Sequence, residues 1–273
     1  MDNRSVKSLL KLEKQVKGSN ASIFAGSALN AFSFWTIALL SVFLSHSPGF
    51  SWLFAPINVF TTAVHEMGHA LVCIATGGHV AGLTIVGDGA GHGGLTFCQG
   101  GIPFFYNQAG YLGAAVFGCI LILLGQYPKL SKAILVAIGL TIGLASVFLM
   151  PGALFQDGQL LQGLCSIVWA VAMSAALIWS GVKLKPALAN ILLLFLAVQT
   201  ALNSVSCIGD LLTLSLGLAP IQTFSDATLM ADMTLIPAFL WSIFWGAASV
   251  VMLGFTLKET YGRQLFAKQN SKA

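Results

Sequence analysis

Two histidines four residues apart with a glutamate between them form the segment His65-Glu-Met-Gly-His69. On a helix, this spacing stacks two imidazoles on adjacent turns of one face, where both can bind one zinc ion. The intervening Glu66 carboxylate then stands beside the water that such an ion activates. With 5 histidines and 3 glutamates in 273 positions, the pattern arises by chance in roughly one such sequence in a thousand. The plainer alternative is a pair of histidines that only hydrogen-bond between helices. Against it, His65 and Glu66 lie in the middle to late part of an apolar run, where ionisable groups are costly and usually line a functional cavity.

Asn58, Thr62, His65 and His69 recur at +4, +3 and +4 and make one polar stripe on an otherwise apolar helix, which Thr76-Gly-Gly78 ends. A hydrolytic zinc site uses three protein ligands and leaves the fourth position for water, so a further ligand must come from another element. Gln199, Asn203, Ser206 and Asp210 form a second stripe at the same spacing on a long apolar run, and Asp210 is the favoured third ligand. Topological parity puts it on the same side of the membrane as the histidines. Its competing role is a helix-end cap near the interface. Four lesser candidates for the third ligand stand beside it: Asp157, in Gln156-Asp-Gly158, which more usually means a turn, Asp226, which after Ser225 could cap a helix start, and His79 and His92. His79 and His92 lie in or beside a glycine-rich stretch that holds ligands less rigidly than packed helices do.

The elements that must position these groups follow from composition. A chain that is 56% hydrophobic and only 8% charged cannot cover a water-facing surface, since soluble domains carry about 25% charged residues. It reads as an all-α polytopic membrane protein. Its net charge of +4, without a dense basic stripe, excludes nucleic-acid binding, and the apolar excess excludes disorder. Seven apolar runs are expected as spans, near 22–45, 52–76, 107–126, 130–151, 159–181, 187–215 and 236–257. Segments 80–86 and 94–98, around the glycines at 87–91, predict a short β-hairpin between the second and third runs.

Residues 1–21 read as a basic membrane-proximal segment, 22–257 as one transmembrane domain and 258–273 as a basic tail. Gly110, Ala114 and Gly118 suit close helix packing. The cysteines at 73, 98, 119, 165 and 207 have no metal-knuckle spacing and read as isolated buried residues rather than a disulfide framework.

At this point the chain resembles the site-2 protease class of intramembrane zinc metalloproteases, in its peptidase M50B-like branch. The residues that carry the resemblance are His65-Glu-Met-Gly-His69 with Ala70-Leu-Val and Thr76-Gly-Gly78, then Ala109-Gly-Tyr-Leu-Gly after a short β region. Asn203-Ser-Val-Ser ending at Asp210, Ser225-Asp-Ala, Trp241 and Trp245 extend it, so that it spans about 52–250. The resemblance implies that His65, His69 and Asp210 bind Zn2+, that Glu66 is the catalytic base and that Asn203 helps position a substrate strand.

The expected function is therefore zinc-dependent endopeptidase cleavage of a transmembrane protein or peptide within the lipid bilayer. Two rivals stand beside it: a transporter or ion-handling protein using the His/Glu/Asp cluster as a cation path, and an inactive substrate-binding relative. Five Lys/Arg precede the first run, on the active-site side, against eight in the segments of the opposite side. This count mildly opposes the cytoplasmic active-site mouth that the resemblance implies.

Overall fold

The computed structural model of the chain describes residues 36–41, 44, 54–87, 93–215 and 225–262, and within 203–204, 206–215 and 261–262 the backbone alone. Most of the expected run 22–45, the segment 1–21, most of the tail 258–273 and the hairpin tip with His92 fall outside these residues.

Helix α1 (Ala55–Ala75) carries the histidine motif. Pro56, in its first turn, has a fixed φ suited to a helix start. The helix stops at Thr76, whose hydroxyl folds back to the Val72 carbonyl at 2.8 Å, and Gly77 takes the left-handed φ of 86° that turns the chain out. Strands β1 (His79–Thr84) and β2 (Leu95–Gln99) then form the expected hairpin. They pair antiparallel, with His79 opposite Gln99 and Thr84 opposite Leu95, and with a bulge between Val80 and Gly82.

Five helices follow: α2 (Pro103–Leu124), α3 (Ser131–Phe148), α4 (Leu160–Lys183), α5 (Pro186–Ser215) and α7 (Ala238–Leu257), the last preceded by the short α6 (Asp226–Thr234). Among the described residues, four helical segments are long and apolar enough to cross a membrane: Pro103–Leu124, Ser131–Phe155, Leu160–Lys183 and Ala238–Thr260. Seven were expected. Helices do form at the second and sixth runs, but the polar stripe of α1 dilutes its apolar character, and the described apolar stretch of α5 is the shorter Pro186–Leu202. On α3, α4 and α7, Phe148, Val168 and Val251 point outward and are exposed, as lipid-facing residues are.

Small residues let these helices approach closely. A Cβ on Gly139 would meet the Ser174 carbonyl at 2.9 Å and one on Gly118 the Ala201 nitrogen at 3.0 Å, so α3 packs on α4 and α2 on α5 almost backbone to backbone. The Ser174 hydroxyl donates to the Gly139 carbonyl at 2.7 Å, and Ser131 donates to Asn190 at the same distance. Such bonds satisfy polar groups that lipid cannot. The hairpin is seated on this bundle. Ser166 of α4 accepts from the Ile85 and Val86 amides at 2.8 and 3.2 Å, and the 3-10 turn Met150–Phe155 packs against Gly82.

Candidate metal centre

The stripe on α1 divides into two faces. One carries His65 and His69 toward α2 and α6; the other carries Thr62, Glu66 and Cys73 toward β2. The sequence leads to this division only in part, because the stripe by itself names no partners.

On the first face, the His65 and His69 Nε2 atoms stand 3.0 Å apart. Asp226 Oδ2 lies 3.2 Å from the first and 3.3 Å from the second. Bonds of roughly 2.0–2.1 Å at tetrahedral angles put neighbouring donor atoms about 3.3 Å apart, so this triangle fits a zinc-sized cation. The chemistry of the donors fits as well. His69 Nδ1 lies 2.6 Å from the Tyr106 carbonyl, which can only accept, so the ring proton sits on Nδ1 and the Nε2 lone pair faces the other two groups. A neutral imidazole lone pair and a carboxylate aimed at one point can share a cation between them.

The third corner is set by a local device. Ser225 caps α6: its hydroxyl accepts from the Thr228 amide at 3.3 Å, while its own amide donates to the Thr228 hydroxyl at 2.8 Å. That capping box fixes Asp226 as the first helical residue. Ala227 and Met230 of the same helix bury themselves with Trp245, against Tyr111 and Trp241, which anchors α6 over α2. Tyr111 stacks on Trp245 at 5.3 Å and meets the His65 ring edge-on at 4.6 Å, so an aromatic wall limits the swing of that imidazole. Gly110 completes the enclosure, because a Cβ there would collide with both imidazoles.

On the other face, Glu66 is 5% exposed, and the Thr96 hydroxyl of β2 lies 2.7 Å from its Oε2. Cys73 is joined to Cys98 by a disulfide. This corrects the reading of all five cysteines as isolated residues. The reason is tertiary: β2 lies along α1, and residues 73 and 98 are on the facing sides. Cys119 and Cys165 are free thiols.

His65, Glu66 and His69 thus come together as their spacing requires. Among the described residues, the carboxylate that meets the histidines is Asp226, a lesser candidate beside Asp210 in the sequence, and it also stands at the start of a helix. The side chains of Asp210 and Asn203 lie outside the described residues. Asp157 is exposed in the turn before α4, beside Gly158 with φ 72°, and His79 is exposed on β1. Thr96 and the Tyr106 carbonyl do not stand out in the sequence, and Gly110 reads there as a helix-packing residue only. The close approach of α2 to the histidine helix is what that packing role becomes at Gly110; for the other two the sequence holds no signal.

No curated protein and no solved structure gives a match to the chain. A family-wide sequence model described as Peptidase M50B-like matches residues 32–256, a segment that takes in α1, the hairpin, Asp226 and nearly all of α7. The match extends over most of the chain's length, and the chain belongs to the Peptidase M50B-like family.

Proposed function

We propose that the protein is a zinc-dependent intramembrane endopeptidase in which His65, His69 and Asp226 hold the metal and Glu66 is the general base. The observation that carries this reading is the triangle of His65, His69 and Asp226 donor atoms, 3.0–3.3 Å on a side, two of whose corners stand on the helix that also bears Glu66. This reading gives the third-ligand role to Asp226 and not to Asp210, whose side chain lies outside the described residues.

Bound in the triangle, zinc would supply the Lewis acidity that activates water and polarises a peptide carbonyl. Glu66 takes the proton of the attacking water on a carboxylate oxygen and returns it to the leaving amine. Tyr106 keeps the His69 ring in one tautomer, so its Nε2 is always the inward atom. Gly110 and Tyr111 keep both rings from turning away.

A transmembrane helix hides its peptide bonds, so the substrate segment must be extended at the site. Among the described residues β2 pairs only with β1, and its other edge can take an extended segment by strand addition. An apolar cavity of about 1080 Å³ between α1, α2 and α3, lined by Val64, Leu71, Leu112 and Val116 among others, offers a transmembrane segment a place beside the histidine helix. Asn203 of α5 is proposed to position the substrate strand.

The test is zinc stoichiometry together with cleavage of a transmembrane reporter in liposomes by the wild type and by Glu66→Gln. One zinc per chain, with cleavage by the wild type alone, supports the reading. Zinc without cleavage points to an inactive binder, and cation flux without cleavage points to an ion-handling protein.

A further inference from the structure

Strand β2 meets α1 in register. Residues 94, 96 and 98 share one side of the extended segment, and Thr62, Glu66 and Cys73 share one side of the helix. A Cβ on Gly94 would lie 2.8 Å from Thr62 Cγ2 and 3.0 Å from Glu66 Cγ; Thr96 touches the Glu66 carboxylate; Cys98 is bonded to Cys73. The strand is therefore fastened to the helix on both sides of Thr96, by contact before it and by a covalent bond after it.

We infer that Thr96 is a positioning residue that holds the Glu66 side chain in place for proton transfer. This rests on the endopeptidase reading. A glutamate side chain has three rotatable bonds, and a general base works only within hydrogen-bond reach of the proton it takes. The Thr96 hydroxyl has one proton and two nearby acceptors, Glu66 Oε2 at 2.7 Å and the Glu66 carbonyl at 3.0 Å. That carbonyl, inside α1, already accepts the helix amide four residues on. The carboxylate is the closer partner and carries the charge, which makes it the stronger acceptor, so the hydroxyl proton goes to Oε2. Because one carboxylate oxygen is held by β2, the other is the one that takes the proton of water in the proposed reaction. Placing this hydroxyl on the strand whose second edge is unpaired among the described residues ties the base to the hairpin that would receive the substrate.

The experiment uses the full chain purified in detergent, with zinc bound, as wild type, Thr96→Val, Thr96→Ala and Thr96→Ser. Val removes the donor at constant size, Ala guards against a misfit of Val, and Ser keeps the hydroxyl. The first readout is the Glu66 carboxyl stretch, isolated by infrared difference between each protein and its Glu66→Gln counterpart. The second is kcat and KM on the transmembrane reporter, at equal zinc content. The expected result is a shifted band in Val and Ala and a wild-type band in Ser. With it, kcat falls roughly tenfold or more in Val and Ala, as loss of a hydrogen bond to a charged group implies, while KM changes less than about twofold. An unmoved band in Val and Ala, or an unmoved kcat with a shifted band, overturns the inference. If the wild type cleaves nothing, or Glu66→Gln cleaves as well as the wild type, the endopeptidase reading falls instead, and the band alone decides whether Thr96 holds Glu66.

Discussion

Asp226 Oδ2 lies 3.3 Å from His69 Nε2, although the two belong to helices separated by the hairpin and four of the longer helices. A carboxylate that reaches an imidazole lone pair at this distance, with a second imidazole 3.2 Å away, is placed for shared coordination.

Asp226→Ala should therefore lower the zinc content of the purified protein to well under half of the wild-type value, measured by mass spectrometry of the metal. Asp157→Ala and Asp210→Ala should leave it unchanged. A metal loss in Asp210→Ala alongside full retention in Asp226→Ala would sink the assignment and leave the two histidines standing.

Glu66→Gln should retain the metal and the melting temperature and lose turnover by about a hundredfold or more, because the amide matches the carboxylate in size and cannot take a proton from water. The reporter assay and the metal measurement, run on the same preparation, check both halves of this expectation.

Gly110 has no room for a side chain, since its Cβ would strike His65 and His69. Gly110→Ala should push the imidazoles off the Asp226 triangle, weaken zinc binding at least tenfold and lower the melting temperature, at a cost of roughly 1–3 kcal/mol from overpacking. Gly254→Ala, on α7 where nothing lies within 4 Å of the added carbon, is the control and should behave as wild type.

Digestion without reductant should yield a peptide linking Cys73 to Cys98, and thiol labelling should mark Cys119 or Cys165 but neither of that pair. The bridge closes a loop with a sequence separation of 25, worth roughly 3 kcal/mol if unfolded-chain entropy governs it. Cys98→Ser should speed hydrogen exchange in residues 95–99 while exchange in α4 stays unchanged. Equal exchange at β2 in both proteins would mean that the bridge does not hold the strand.

The sequence by itself determined the chemistry of α1. Two imidazoles four apart and a glutamate between them follow from helical periodicity alone, and no tertiary contact is needed to put them on adjacent faces of one helix. The same local logic led to the hairpin at 80–98 and to a helix start at Ser225, because turn glycines and a capping serine act within a few residues of themselves. The apolar runs near 107–126, 130–151, 159–181 and 236–257 became membrane-length helices, since a long apolar run in lipid can satisfy its backbone only within itself.

What completes the site was not legible in this way. Asp226 and Asp210 are both carboxylates beside helical segments, and periodicity ranks the stripe on the longer helix higher. The capping box and the burial of Met230 against Trp245 carry Asp226 to the histidines instead. Thr96 on Glu66 and Cys98 on Cys73 likewise depend on how a strand lies against a helix. Period-two and period-3.6 patterns each define a face but say nothing about which two faces meet; that choice is made by packing across the whole bundle, and only the tertiary structure records it.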